Sequence, residues 1–68
     1  MKQVTINTVQ ELKSFVKENR NLITDINGIK FGELYPMLEV TNRYASYYNV
    51  DTQCDTFINA PYNVTYKN

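Results

Sequence analysis

Apolar and polar side chains alternate at the start of the chain, with Val4 and Ile6 on one parity and Gln3 and Thr5 on the other. A period of two is the pattern of a strand with one face on a core, and it predicts a short strand over residues 2–6. The period then changes. Val9, Leu12, Phe15 and Val16 recur at helical spacing and form one apolar stripe, with Glu11, Lys13, Lys17 and Glu18 outside it. Asn7 or Thr8 supplies the N-cap; with Thr8 as cap, Glu11 falls at N3 and completes a capping box. Lys13, Lys17 and Arg20 lie toward the C-terminal end, where positive charge suits the helix dipole. The spacing predicts a helix over about residues 8–20.

Asn27-Gly28 is the strongest short-range signal. The pair suits a two-residue type I′ turn, whose central residues both need φ > 0. That turn predicts strands at about 22–26 and 29–34, with Ile26 opposite Ile29, Thr24 opposite Phe31 and Leu22 opposite Glu33. Leu22, Ile26, Ile29 and Phe31 then share one face, and Asp25 meets Lys30 on the other as an opposite-charge pair. Gly32 is a candidate bulge. Tyr35-Pro36 interrupts the pattern, because proline cannot donate to a ladder and restricts the residue before it.

From Met37 to Val50 two templates compete. As strand, Leu38, Val40, Tyr44, Tyr48 and Val50 share one parity, and Glu39, Thr41, Arg43, Asn49 and Asp51 the other, with a turn available at Thr41-Asn42-Arg43. As helix, Pro36 takes the first position, and Met37, Val40, Thr41, Tyr44 and Tyr48 form a face. The β-branched and aromatic content favours strand. Beyond Asp51 the pattern weakens. Phe57-Ile58 is a short apolar pair, and Ala60-Pro61 reads as a turn or loop. Tyr62, Val64 and Tyr66 alternate with Asn63, Thr65 and Lys67, which predicts a last edge strand whose Lys67 discourages edge-to-edge pairing. The expected fold is one α+β domain over residues 1–68. One helix packs on a small, mostly antiparallel sheet in the order strand, helix, hairpin, further strands.

Charge and composition narrow the function classes. Seven Lys plus Arg balance seven Asp plus Glu. A nucleic-acid binder carries a basic excess, because phosphate contacts dominate its affinity. The chain has no His, which removes the commonest general base and metal ligand, and a single Cys, which forbids an intrachain disulfide. No apolar signal-peptide core and no membrane-length apolar run stands in the sequence, so the expectation is a cytoplasmic protein.

Catalytic chemistry finds no footing. Cys54 is the only thiol, no imidazole exists to activate it, and the neighbouring Asp51 and Asp55 raise a thiol pKa rather than lower it. A buried or semi-buried small apolar role is the simpler reading of Cys54. Asp51, Thr52 and Asp55 lack the central glycine and final glutamate of an EF-hand loop. Gly28 and Gly32 sit in a hairpin pattern, not in the strand-to-helix setting of a phosphate loop. No catalytic, cofactor-binding or metal-ligating residue is therefore expected. Lys13, Lys17 and Arg20 give nucleic-acid binding one foothold, beside tyrosines able to stack on bases. The simpler reading of these three is a solvated helix face.

The tyrosines are the compositional oddity: the chain has six Tyr, four of them at Tyr35, Tyr44, Tyr47 and Tyr48. Tyrosine buries a large area at low entropic cost and keeps a polar tip, so it is enriched in protein interfaces. Strand alternation sends Tyr47 away from Tyr44 and Tyr48, so one small core cannot take all three. Ordinary strand tyrosines straddling core and solvent are the competing reading. The sequence thus leads to a non-enzymatic protein-binding module, with Tyr35, Tyr44, Tyr47 and Tyr48 as interface residues. Its partner is another protein or a second copy in a homodimer. Small size, missing chemistry and abundant Asn and Tyr are seen in many small phage or mobile-element proteins, which often bind and block a host protein, so an inhibitor or regulator of that kind is the expectation. A small nucleic-acid-binding or transcription-regulating domain is the alternative, and it gains if residues 37–48 are helical.

Overall fold

In the computed structural model, which describes residues 1–31 and 38–67, the opening alternation becomes strand β1 (Lys2–Ile6), with Ile6 buried and Val4 half-buried. Thr8 then turns the chain into helix α1 (Val9–Asn19). Its Oγ1 accepts the Glu11 N–H at 3.2 Å, satisfying one of the amides that the first helical turn leaves unpaired. Leu12 and Val16 are buried on the expected stripe, with Val9 and Phe15 packed beside them.

The helix gives way to a single 3-10 turn (Arg20–Leu22) and strand β2 (Ile23–Ile26). Here the expected parity fails: Ile23 is buried and Leu22 is 37% exposed. A register shift between Ile23 and Asp25 places both Ile23 and Ile26 inward, three positions apart. The tight turn forms as its sequence dictates, with φ of 53° at Asn27 and 83° at Gly28. Ile26 pairs with Ile29 and Asp25 with Lys30 of β3 (Ile29–Lys30), and the Phe31 N–H donates to the Thr24 carbonyl at 2.8 Å. The Leu22–Glu33 pairing, the Gly32 bulge, the rest of the strand expected over 29–34, and Tyr35-Pro36 fall outside the described residues.

Residues beyond Met37 are strand, not helix: β4 (Leu38–Val40) and β5 (Ala45–Asn49) form a hairpin. Thr41 makes the turn. Its Oγ1 accepts the Arg43 N–H at 3.2 Å and the Tyr44 N–H at 3.1 Å. The loop of four residues, 41–44, inverts the parity, since Val40 pairs with Ala45 and Leu38 with Tyr47. Leu38, Val40, Ala45 and Tyr47 therefore face the core together, which corrects the single parity read through Tyr44 and Tyr48. Strand β6 (Cys54–Ile58), where the sequence offers only an apolar pair, runs antiparallel to β5.

Strand β7 (Tyr62–Tyr66) is not an edge. It lies between β1 and β2, pairing Val64 with both Val4 and Ile26. The expected single sheet is also two among the described residues: a first sheet in the order β1-β7-β2-β3 and a second in the order β4-β5-β6. The α+β class holds; the strand order differs from the one expected.

A common core joins these parts. Leu12 and Val16 of α1 meet Ile6, Ile23, Ile26, Tyr62 and Val64 of the first sheet and Leu38, Ala45 and Ile58 of the second. Helix side chains also hold the second sheet in place. Gln10 Nε2 donates to the Asn42 carbonyl at 3.0 Å, Lys13 Nζ to Asn42 Oδ1 at 3.0 Å, and Arg20 Nη2 to the Leu38 carbonyl at 3.1 Å. Among the described residues no helix is long and apolar enough to cross a membrane.

Candidate functional site: the outer face of the second sheet

Strand alternation decides what the second sheet shows on its far side. With Leu38, Val40, Ala45, Tyr47 and Ile58 turned inward, Glu39, Ser46 and Phe57 stand abreast on the outer face, and Tyr48 stands beside Asp55 in the next row. Tyr44, at the end of the β4–β5 turn, joins them. Its ring meets Phe57 edge-on, with centroids 5.4 Å apart and an interplanar angle of 89°. Its hydroxyl donates to Glu39 Oε1 at 3.0 Å. Tyr44 is 39% exposed, Tyr48 43% and Phe57 63%. Ser46 lies beneath the taller side chains around it and is buried although it points outward.

The electrostatics follow from the two carboxylates. Tyr44 has its pKa pushed upward, first by the hydrogen bond to Glu39 and by the charge of that carboxylate, then by desolvation and by the charge of Asp55. Glu39 from β4 and Asp55 from β6 thus both act on a ring at the start of the central strand.

Of the tyrosines singled out by sequence, Tyr44 and Tyr48 come together on this face. Tyr47 does not. It is half-buried against the core and, with Lys30 and Val50, lines an open depression of about 360 Å³ between the β2–β3 turn and the β5–β6 turn. Tyr35 lies outside the described residues. Phe57 was missed by sequence reasoning. The signal for it is the alternation Cys54-Thr56-Ile58 against Asp55-Phe57, which makes it the outward residue of a strand.

The other candidates disperse. Lys13 and Arg20 are engaged in the helix-to-sheet tethers, so the basic face expected from Lys13, Lys17 and Arg20 keeps only Lys17 outside those bonds. Cys54 is exposed at the start of β6, which corrects the buried or semi-buried role expected of it: it lies at the end of an edge strand, opposite Asn49. Asp51 belongs to the β5–β6 turn, where its N–H donates to Asn49 Oδ1 at 2.9 Å, while Asp55 stands on the aromatic face. No group of three or more His, Cys, Asp or Glu converges among the described residues. No protein-family model, no curated protein and no solved structure matches the chain.

Proposed function

We propose that this chain is a non-enzymatic protein-binding module of the cytoplasm, acting as an inhibitor or regulator, and that it docks through the outer face of β4, β5 and β6. One observation carries this reading. Tyr44, Tyr48 and Phe57 are exposed together on one face of the sheet, with Tyr44 and Phe57 in edge-to-face contact. Exposed aromatic side chains gathered on one side of a small domain mark a contact site, because covering them with a partner releases water from a large apolar area. Rings held by neighbours lose little further freedom on binding, which favours them as anchors. The nucleic-acid alternative has weaker support, since Lys13 and Arg20 are engaged as tethers and the formal net charge is +0.

The test is a set of single substitutions, Tyr44→Ala, Tyr48→Ala and Phe57→Ala, beside Thr5→Ala and Thr65→Ala on the first sheet. Each variant is scored for thermal stability and for binding to the protein recovered with the wild-type chain from its source cell. Anchors of this kind lose about 2 kcal/mol or more of binding on truncation. The aromatic variants should lose binding while staying folded, and the threonine variants should keep it. Retention of binding by all three aromatic variants, or its loss only through unfolding, overturns the reading.

A further inference from the structure

We propose that the partner presents a Lys- or Arg-bearing segment to this face, with its cation against the Tyr44, Tyr48 and Phe57 rings and its charge met by Glu39 and Asp55. The inference rests on the docking-face reading above and names the chemistry of what docks. The two carboxylates stand on the outer strands, one on each side of β5, which carries Tyr48 and follows directly on Tyr44. Arg43 is exposed in the β4–β5 turn next to Tyr44, outside the strands that carry Glu39, Tyr48, Asp55 and Phe57. Any surface that covers the rings also strips water from the carboxylates beside them. A carboxylate removed from water without a partner is strongly unfavourable, so a purely apolar surface is a poor match. A phosphate backbone or an acidic segment adds repulsion.

A second copy of this chain fits no better. Stacking two such faces by a two-fold axis doubles the carboxylates in one interface, with no lysine or arginine on the strands of either face to meet them. The face is also small. With strands spaced about 4.8 Å apart and a rise of about 3.3 Å per residue, its described part spans about 14 Å by about 16 Å in plan, the scale of a segment rather than of a whole domain face. It suits a segment or loop. A guanidinium or ammonium group meets both demands at once: its charge-assisted hydrogen bonds satisfy carboxylates, and its face or point charge is attracted to aromatic rings. Tyr44 is already held for this by its edge contact with Phe57 and its bond to Glu39. Both Glu39 and Asp55 raise its phenol pKa, so the negative field of the two carboxylates overlaps at that ring.

The experiment uses the full chain, isotope-labelled for NMR, and two capped probe peptides, one alternating Gly with Arg and its counterpart alternating Gly with Glu. Titration at about 50 mM salt keeps exposed charges weakly screened. The Arg peptide should shift the amides of Glu39, Ser46, Tyr48, Asp55 and Phe57, and the Glu peptide should not. The double variant Glu39→Gln, Asp55→Asn should keep the wild-type melting temperature and bind the Arg peptide about three- to tenfold more weakly, as expected for two exposed ion pairs. Shifts centred elsewhere, undiminished affinity of the double variant, or a dimer in sedimentation that Phe57→Ala abolishes would each overturn the proposal. The recovered partner separates this inference from the reading beneath it. If binding needs Tyr48 and Phe57 but ignores the double variant, the docking face stands and the cationic segment falls. If binding ignores both sets, both fall.

Discussion

On the first sheet the side chains turned away from the core are Gln3, Thr5, Asp25, Lys30, Asn63 and Thr65. On the second they are Glu39, Ser46, Tyr48, Asp55 and Phe57, with Tyr44 beside them. The first set is what water favours: polar and charged groups, two of which bond each other, Thr5 Oγ1 donating to Asn63 Oδ1 at 3.0 Å. The second set leaves large rings uncovered. The same residue type marks both conditions, since Tyr62 is 5% exposed within the first sheet and Tyr48 43% exposed on the second. The inward faces of the two sheets obey one rule, burial of apolar area. Their outward faces obey different ones, and the difference locates the candidate site.

The comparison presumes one cooperative unit, and Leu12→Ala is the change that would break it. Leu12 is fully buried where α1 meets both sheets. Truncating it should cost about 2–5 kcal/mol, a large part of the stability available to so short a chain. Circular dichroism and ring signals of Tyr62 and Tyr48 should report one shared, lowered melting transition. Separate transitions for the two tyrosines would mean that the sheets are independent units.

Gly28→Val should have a smaller effect, about 1–2 kcal/mol, because a β-branched residue resists the left-handed conformation. A Cβ at Gly28, whose φ is 83°, would meet nothing within 4 Å, so the cost is one of backbone conformation alone. The melting temperature should fall while the mutual ring-current shifts of Tyr44 and Phe57 stay in place. Loss of those shifts would show that the hairpin of the first sheet supports the outer face of the second.

These two sites also show what was legible in the sequence. The Asn27-Gly28 turn, the Thr8 cap and the stripe through Leu12 and Val16 are set by groups a few residues apart, and all three appear where their spacing places them. What was illegible depends on distant partners. Nothing near β7 announces that it pairs with β1 on one side and β2 on the other. Asn27 closes part of that arrangement: its N–H donates to the Asn63 carbonyl at 2.9 Å, and its Oδ1 accepts the Asn63 N–H at 2.8 Å. Strand β6 was hidden for another reason. Phe57 is its most conspicuous apolar residue and points to solvent, so the binary pattern that betrays other strands is broken there. Two of the three rings of the aromatic face were therefore readable, Tyr44 and Tyr48, and Phe57 was not. Tyr47 was lost to the core by the parity inversion at residues 41–44, which only the length of the turn decides.

Tyr48→Ala tests the outer face with a smaller effect on the fold. Tyr48 lies opposite Asp55 and is 43% exposed. Exposed positions without a special bond or conformation change stability by about 0.5 kcal/mol or less. The melting temperature should stay near the wild-type value, whereas Tyr62→Ala should lower it sharply. A large loss of stability in Tyr48→Ala would make the outer ring part of the fold and remove the contrast between the two tyrosines.

The smallest expected effect is on a titration, and it probes the bond that holds the face together. Tyrosine ordinarily loses its proton near pH 10, and Tyr44 has its pKa raised above that, chiefly by the hydrogen bond to Glu39. The sign follows from what the bond requires. The phenol donates only while protonated, so the folded state favours the neutral form. Whatever the bond contributes is fully present below the unfolded pKa and disappears as pH rises through the higher folded value. NMR of the Tyr44 ring across the alkaline range should therefore give a midpoint above the ordinary one. Glu39→Ala should bring it down, because it removes both the oxygen that accepts the bond and the charge that repels the phenolate. Asp55→Asn should bring it down by less, since that carboxylate acts only through its charge. If Glu39→Ala leaves the midpoint where it was, the hydroxyl is not held by Glu39 in solution. Tyr44 would then be free to turn on the sheet, and the face would lack the fixed ring that separates it from an ordinary solvated surface.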